Sequence, residues 1–227
     1  HMVSEHTQTN WNGILGEMKL IAFPEVYIAD LQIRPDTDRR TACVRARIRR
    51  GRNQGALDGV IELRASSYNN EKMSHAPAAQ KFDFHMADGQ EETELALDYQ
   101  MGEGVLLWDE FSPTLYRMTA EVRWDKEGDT GCFTAEESFG MRKFEALYLE
   151  DGGKQFAVNG RPVQLRGEIS CAVFPMTGYA PMDLESWLRV MRIYKDYGFN
   201  HVRFHTWVPP KAAFQTADLL GLYVQFE

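Results

Sequence analysis

TACVRARIRR, residues 41–50, and LYRMTAEVRW, residues 115–124, decide the fold. In the first, Ala42, Val44, Ala46 and Ile48 alternate with Cys43, Arg45, Arg47 and Arg49; in the second, Tyr116, Met118, Ala120, Val122 and Trp124 alternate with Leu115, Arg117, Thr119, Glu121 and Arg123. Successive side chains of a strand point to opposite faces, so an apolar set at period two buries one face and wets the other. Working outward, similar runs lie at 26–33, 59–65, 81–85, 93–99 and 131–139, about seven strands between residues 18 and 142. Such a set predicts a mainly β chain folded as a β-sandwich. The apolar phase slips between Ile28 and Leu31, which predicts a bulge near Ala29 and Asp30. SSYNNEKMSHAPAA (66–79) reads as a long polar surface loop. Arg45, Arg47, Arg49, Arg50 and Arg52 read as the solvated face of a strand rather than an anion-binding patch.

After residue 144 the pattern changes to strands alternating with helices. Residues 155–158 and 161–165, joined by Asn159-Gly160, read as a hairpin whose turn takes positive φ at both central residues. Asp183 caps a helix running to Tyr197, with Leu184, Trp187, Leu188, Met191 and Tyr194 on one stripe and Gly198 as its stop. A short strand at 200–205 follows. Pro209-Pro210 then opens a second helix, with Ala213, Phe214, Ala217 and Leu220 inward and Gly221 stopping it before a strand at 222–226. Helical connections between strands predict parallel βαβ units. A complete (β/α)8 barrel takes about 250 residues, whereas about 65 follow Pro162. The expectation is a sandwich followed by an incomplete (β/α)8 barrel segment.

Composition narrows the function. Among 227 residues, 33 Asp plus Glu against 25 Lys plus Arg leave a net charge of -8, which argues against nucleic acid or an anionic membrane as a partner. No run approaches 18 apolar residues, and the first ten residues lack the basic start and apolar stretch of a signal peptide. Cys43, Cys132 and Cys171 are odd in number and widely spaced, so they read as buried thiols rather than a disulfide framework. His201 and His205 share a strand face but sit about 13 Å apart, too far for one zinc ion, and no cofactor motif occurs.

Four stretches carry a resemblance. VLLWDEFSPTLYRMTAEV (105–122) resembles the entry into the last strands of the immunoglobulin-like domain of family 2 glycoside hydrolases, the β-galactosidase and β-glucuronidase group. FAVNGRPVQLRG (156–167) resembles that family's junction between sandwich and barrel, and DYGFNHVRFHTWVPPKAAFQTADLLGLYVQFE (196–227) is similar to its early barrel. NGILGEMKLIA (12–22) resembles the end of the preceding jelly-roll sugar-binding domain. The resemblance implies a tag remnant and jelly-roll tail over 1–17, the immunoglobulin-like β-sandwich over 18–145 and the truncated start of the TIM barrel over 146–227. The chain departs from the family pattern at FHTWVPP (204–210), where the histidine is displaced by one position, and at EISCAVFP (168–175) after the junction. No sugar preference follows from it.

What the resemblance implies chemically is retaining hydrolysis of a β-glycoside by two carboxyl groups about 5 to 5.5 Å apart. Both are glutamates on later barrel strands in the family, so none of residues 1–227 is expected to be catalytic and the fragment itself is expected to be inactive. Arg203 matches the family's strand arginine; its fork suits orientation of a carboxylate in the barrel, or a plain internal salt bridge. His205 suits donation to a sugar hydroxyl or a satisfied rim position. Trp207 offers a flat face to a pyranose ring, or packs against the helix after Pro209-Pro210. Glu227 ends a strand at the face where barrel functions gather and matches the glutamate of the family's "dE" pair at the third strand, not the acid/base, so it is a candidate for substrate contact or active-site support only. Arg166 is read as structural. The partner expected is a carbohydrate, with a homo-oligomer formed through the open edge at 222–226 and uncovered helix faces at Trp187, Met191 and Phe214. The competing reading is a non-catalytic carbohydrate-binding or scaffold module.

Overall fold

Alternation of apolar and polar side chains builds seven antiparallel strands, seen in a computed structural model that describes residues 13–52, 55–126, 129–150 and 152–227. They are β1 (Val26–Asp36), β2 (Thr41–Arg50), β3 (Leu57–Tyr68), β4 (Gln80–Met86), β5 (Glu92–Gln100), β6 (Leu115–Lys126) and β7 (Asp129–Phe139). One sheet has the order β1-β2-β5 and the other β4-β3-β6-β7. The tag remnant and jelly-roll tail expected over 1–17 fall largely on residues 1–12, outside the described residues.

The inward series is the one read from the sequence. Ala42, Val44, Ala46 and Ile48 of β2 meet Ile61, Leu63, Met118, Ala120 and Val122 in a single apolar core. The bulge is present as a register shift between Ile28 and Asp30 where β1 pairs with β2. The arginines of β2 divide by face. Arg45, Arg47 and Arg49 pair with Glu94 (3.3 Å), Asp30 (3.9 Å) and Glu92 (2.9 Å) on the wet face. Arg50 departs from the solvated-face reading: it continues the inward even positions, is buried, and donates to the carbonyls of Gln90 (2.6 Å), Gly55 (2.5 Å) and Ala87 (2.6 Å). A guanidinium has five donors and no acceptor, so one side chain satisfies several loop carbonyls.

The polar loop begins later than expected because β3 runs to Tyr68, and it is pinned rather than free. Tyr99, fully buried, receives the Ala65 N–H (3.2 Å) and donates toward the Ala78 carbonyl (3.1 Å). His75 Nδ1 lies 2.8 Å from the Tyr116 hydroxyl.

Further along, β8 (Phe144–Tyr148), β9 (Lys154–Val158) and β10 (Arg161–Pro162) form a small sheet of order β10-β9-β8. Asn159 (φ 52) and Gly160 (φ 76) supply the predicted turn between β9 and β10. Next come β11 (Gly167–Ser170), α1 (Leu184–Asp196), β12 (His201–Phe204), α2 (Lys211–Leu220) and β13 (Tyr223–Phe226), with both strand pairings of the sheet β11-β12-β13 parallel. Asp183 caps α1 by accepting from Ser186 N–H at 2.8 Å.

By its internal contacts the chain divides into two compact units, one comprising Ile21–Trp108 and Thr114–Glu145, the other His1–Leu20, Asp109–Pro113 and Ala146–Glu227. The second has its own core, in which Trp187 and Met191 of α1, Val202 and Phe204 of β12 and Ala213 and Ala217 of α2 are buried together. This corrects the expectation of uncovered helix faces: Trp187 and Met191 are closed off by β12, α2 and Phe174. Phe214 leans aside to meet Phe226 edge-on at 5.8 Å. No helix among the described residues is long and apolar enough to cross a membrane.

Candidate functional site

In β12, Val202 and Phe204 are consumed by the helix-side core, so strand alternation sends His201, Arg203 and His205 to the other face of the sheet. Register extends this face into rows: Gly167 and Tyr223 flank His201, while Ile169 and Gln225 flank Arg203. One residue beyond the paired strands, Cys171, His205 and Glu227 form the last row, at the C-terminal ends of all three strands.

Two of the predicted residues meet there. Arg203 Nε donates to Glu227 Oε1 at 2.8 Å, and Nη2 of the same guanidinium donates to the same oxygen. That hydrogen bond, with the arginine charge, lowers the Glu227 carboxyl below its ordinary pKa. Glu227 is thus held ionised. Burial, aided by the charge of Arg203, lowers the pKa of His201 and favours its neutral form. A methyl group on Gly167 would come within 2.6 Å of the His201 ring nitrogen Nδ1, so the glycine leaves room for that imidazole.

The other two predicted residues are set differently. His205 is exposed, its backbone N–H bonded to the Ser170 carbonyl at 3.0 Å and its Nδ1 4.0 Å from the thiol of Cys171. Trp207 is half-buried; its indole N–H donates to the Ser170 carbonyl at 2.9 Å and its ring meets Phe204 edge-on at 5.1 Å. It packs as part of an aromatic cluster with Phe174 and Trp187.

At the opposite end of the sheet, Asn200 is buried and clamps all three strands. Its Oδ1 accepts from Arg166 N–H (2.7 Å), its amide donates to Gln164 O (3.0 Å), and its carbonyl accepts from Tyr223 N–H (2.8 Å). Arg166 side-chain bonds go to the Gly198 and Gln164 carbonyls, in keeping with a structural role. Sequence reading passed over Asn200, since a polar residue before a short strand carries no periodic signal. It also misjudged the thiols: Cys132 and Cys171 are exposed and Cys43 half-buried, because each sits on the polar half of its alternation or beyond its strand. No group of three or more His, Cys, Asp or Glu among the described residues is arranged to hold a metal.

The sequence profile of Glycosyl hydrolases family 2 matches residues 26–142, from the first strand of the sandwich to just past the last. The chain belongs to that family. An exo-beta-D-glucosaminidase of Amycolatopsis orientalis is 30% identical over 100 residues, covering 42% of this chain and 9% of that protein. A beta-galactosidase of Leuconostoc mesenteroides is 25% identical over 219 residues, covering 94% of this chain and 20% of that protein. The family 2 chain therefore spans a fifth or less of these curated relatives. Among solved structures, a Bacteroides uniformis beta-glucuronidase superposes with a TM-score of 0.68 at 19% identity, over 88% of this chain and 24% of that one. That likeness shows the fold.

Proposed function

We propose that the chain is the immunoglobulin-like sandwich (18–145) and the opening β/α units of a (β/α)8 barrel (146–227) from a retaining β-glycoside hydrolase, preceded over 1–17 by a tag remnant and the tail of a jelly-roll domain. The observation that carries this is the Arg203–Glu227 pair. It stands on the polar face of three parallel strands, at their C-terminal ends, where barrel enzymes keep their active sites. In this reading Arg203 fixes Glu227 as a permanent hydrogen-bond acceptor for sugar hydroxyls, and His205 stands beside it as a polar rim residue. Trp207 shapes the floor through the Ser170 carbonyl. A binding module alone has no use for parallel strands that turn a charged face away from their helices.

Retaining hydrolysis needs a nucleophile and a proton donor. Of the Cys171, His205 and Glu227 row, only Glu227 is a carboxylate, and its ion pair keeps it from giving up a proton. The 227-residue chain is therefore inert in this proposal. Its test is a panel of nitrophenyl β-galactoside, β-glucuronide, β-mannoside and β-glucoside. No release is expected from the chain itself, whereas Arg203→Ala in a longer protein that turns over one of them should cost about a hundredfold in rate. Release by the chain alone, or full turnover by the substituted enzyme, would overturn the assignment.

A further inference from the structure

The end row of the parallel sheet holds a thiol that the glycosidase reading leaves unused, beside the imidazole of His205, to which that reading gives only a rim position. Cys171 is exposed, and its Sγ lies 4.0 Å from Nδ1 of His205 on the neighbouring strand. The approach is enforced by main chain. The Ser170 carbonyl, one residue before the thiol, accepts both the backbone N–H of His205 and the indole N–H of Trp207. Ala172 and Thr206, the residues directly after Cys171 and His205, both take left-handed backbone with φ 58. Two non-glycine residues in that region at matching points of adjacent strands are the kind of local strain that collects at sites of chemistry. The third member of the row, Glu227, is engaged by Arg203 and so does not compete for the thiol proton.

We infer that Cys171 and His205 form a nucleophilic pair, a covalent modification site for soft carbon electrophiles at the open end of the sheet. With iodoacetamide as electrophile, Sγ attacks the methylene carbon and the carbon–iodine bond breaks. Iodide leaves with the bonding electrons, and the thiol proton passes to Nδ1 of the His205 tautomer protonated at Nε2, then to water. An imidazole placed to take the proton during attack is the standard way of activating such a nucleophile. The inference stands whether or not this end of the sheet binds a sugar.

Cys132, also exposed but on β7 of the sandwich, is an internal reference in the same molecule. Under limiting iodoacetamide at neutral pH, peptide mass spectrometry should find Cys171 carbamidomethylated about tenfold faster than Cys132. His205→Gln should bring Cys171 down to the Cys132 rate while leaving Cys132 unchanged. In His205→Ala, added imidazole should restore the lead, which separates loss of a base from a disturbed fold. Equal labelling of the two thiols in the unsubstituted chain would overturn the pair. So would a lead that survives His205→Gln, or one that imidazole fails to restore while Cys132 labels normally.

Discussion

Glu62 shows how far a single residue can depart from the pattern that places it. It points outward from β3, opposite Lys81 of β4 and Glu121 of β6, yet only 7% of its side chain is exposed. Arg64 (2.5 Å), Lys81 (3.7 Å) and Arg123 (3.9 Å) close over it with their aliphatic stems and cationic heads. Burial acts to raise its pKa, but the Arg64 hydrogen bond and the three positive charges outweigh it, and the carboxyl titrates below its ordinary value. A depressed carboxyl stabilises the fold above the pKa of the unfolded chain, and that contribution disappears as pH falls through the folded pKa. Glu62→Gln should therefore lower the urea midpoint most near pH 7, with the gap to the unsubstituted chain narrowing as pH falls below the ordinary glutamate range. A gap independent of pH would assign the loss to packing. Alternation announced which way Glu62 points. It was silent on the cover, because that depends on which long cations stand across two neighbouring strands.

Helix ends were legible nearly to the residue, since capping chemistry is local: Asp183 and Gly198 bracket α1, and Pro210 and Gly221 bracket α2. The buried stripe of α2 was legible only in part. Ala212 and Thr216 are buried beside Ala213 and Ala217, and Phe214 turns to the side, because small residues let the helix sit close to the sheet. The two stop glycines look alike in sequence, with φ 77 at Gly198 and 71 at Gly221, but differ in surroundings. A methyl group on Gly198 meets nothing within 4 Å, whereas on Gly221 it would stand 2.7 Å from the Glu110 carbonyl oxygen. Gly198→Ala should cost about 1 kcal/mol, the left-handed backbone alone. Gly221→Ala should cost about 3 kcal/mol because backbone must also move. Equal shifts in thermal denaturation would contradict this account.

For the molecule as a whole, seven strands and two helices with parallel neighbours could be read in advance. The pairing of β5 back onto β2 instead of β4 could not, because alternation marks faces and says nothing about neighbours. In the sheet β11-β12-β13 the outer strands each pair on one side, and Ile169 (50% exposed) and Phe226 (53% exposed) stand near those edges. We expect the 227-residue chain to self-associate through β13, giving a concentration-dependent dimer by light scattering that Gln225→Pro weakens. A monomer at high concentration would argue against it. Lys195 draws one more consequence from the division into units. Its ammonium, with a pKa lowered by burial, donates to the carbonyls of Gly221 (3.3 Å) and of Glu110 (3.0 Å), and Glu110 belongs to Asp109–Pro113, which precedes β6 of the sandwich in sequence. The second unit is thus discontinuous along the chain. A gene cut between residues 145 and 146 would remove an acceptor from a half-buried cation, so recombination could exchange the sandwich only together with a replacement for those five residues.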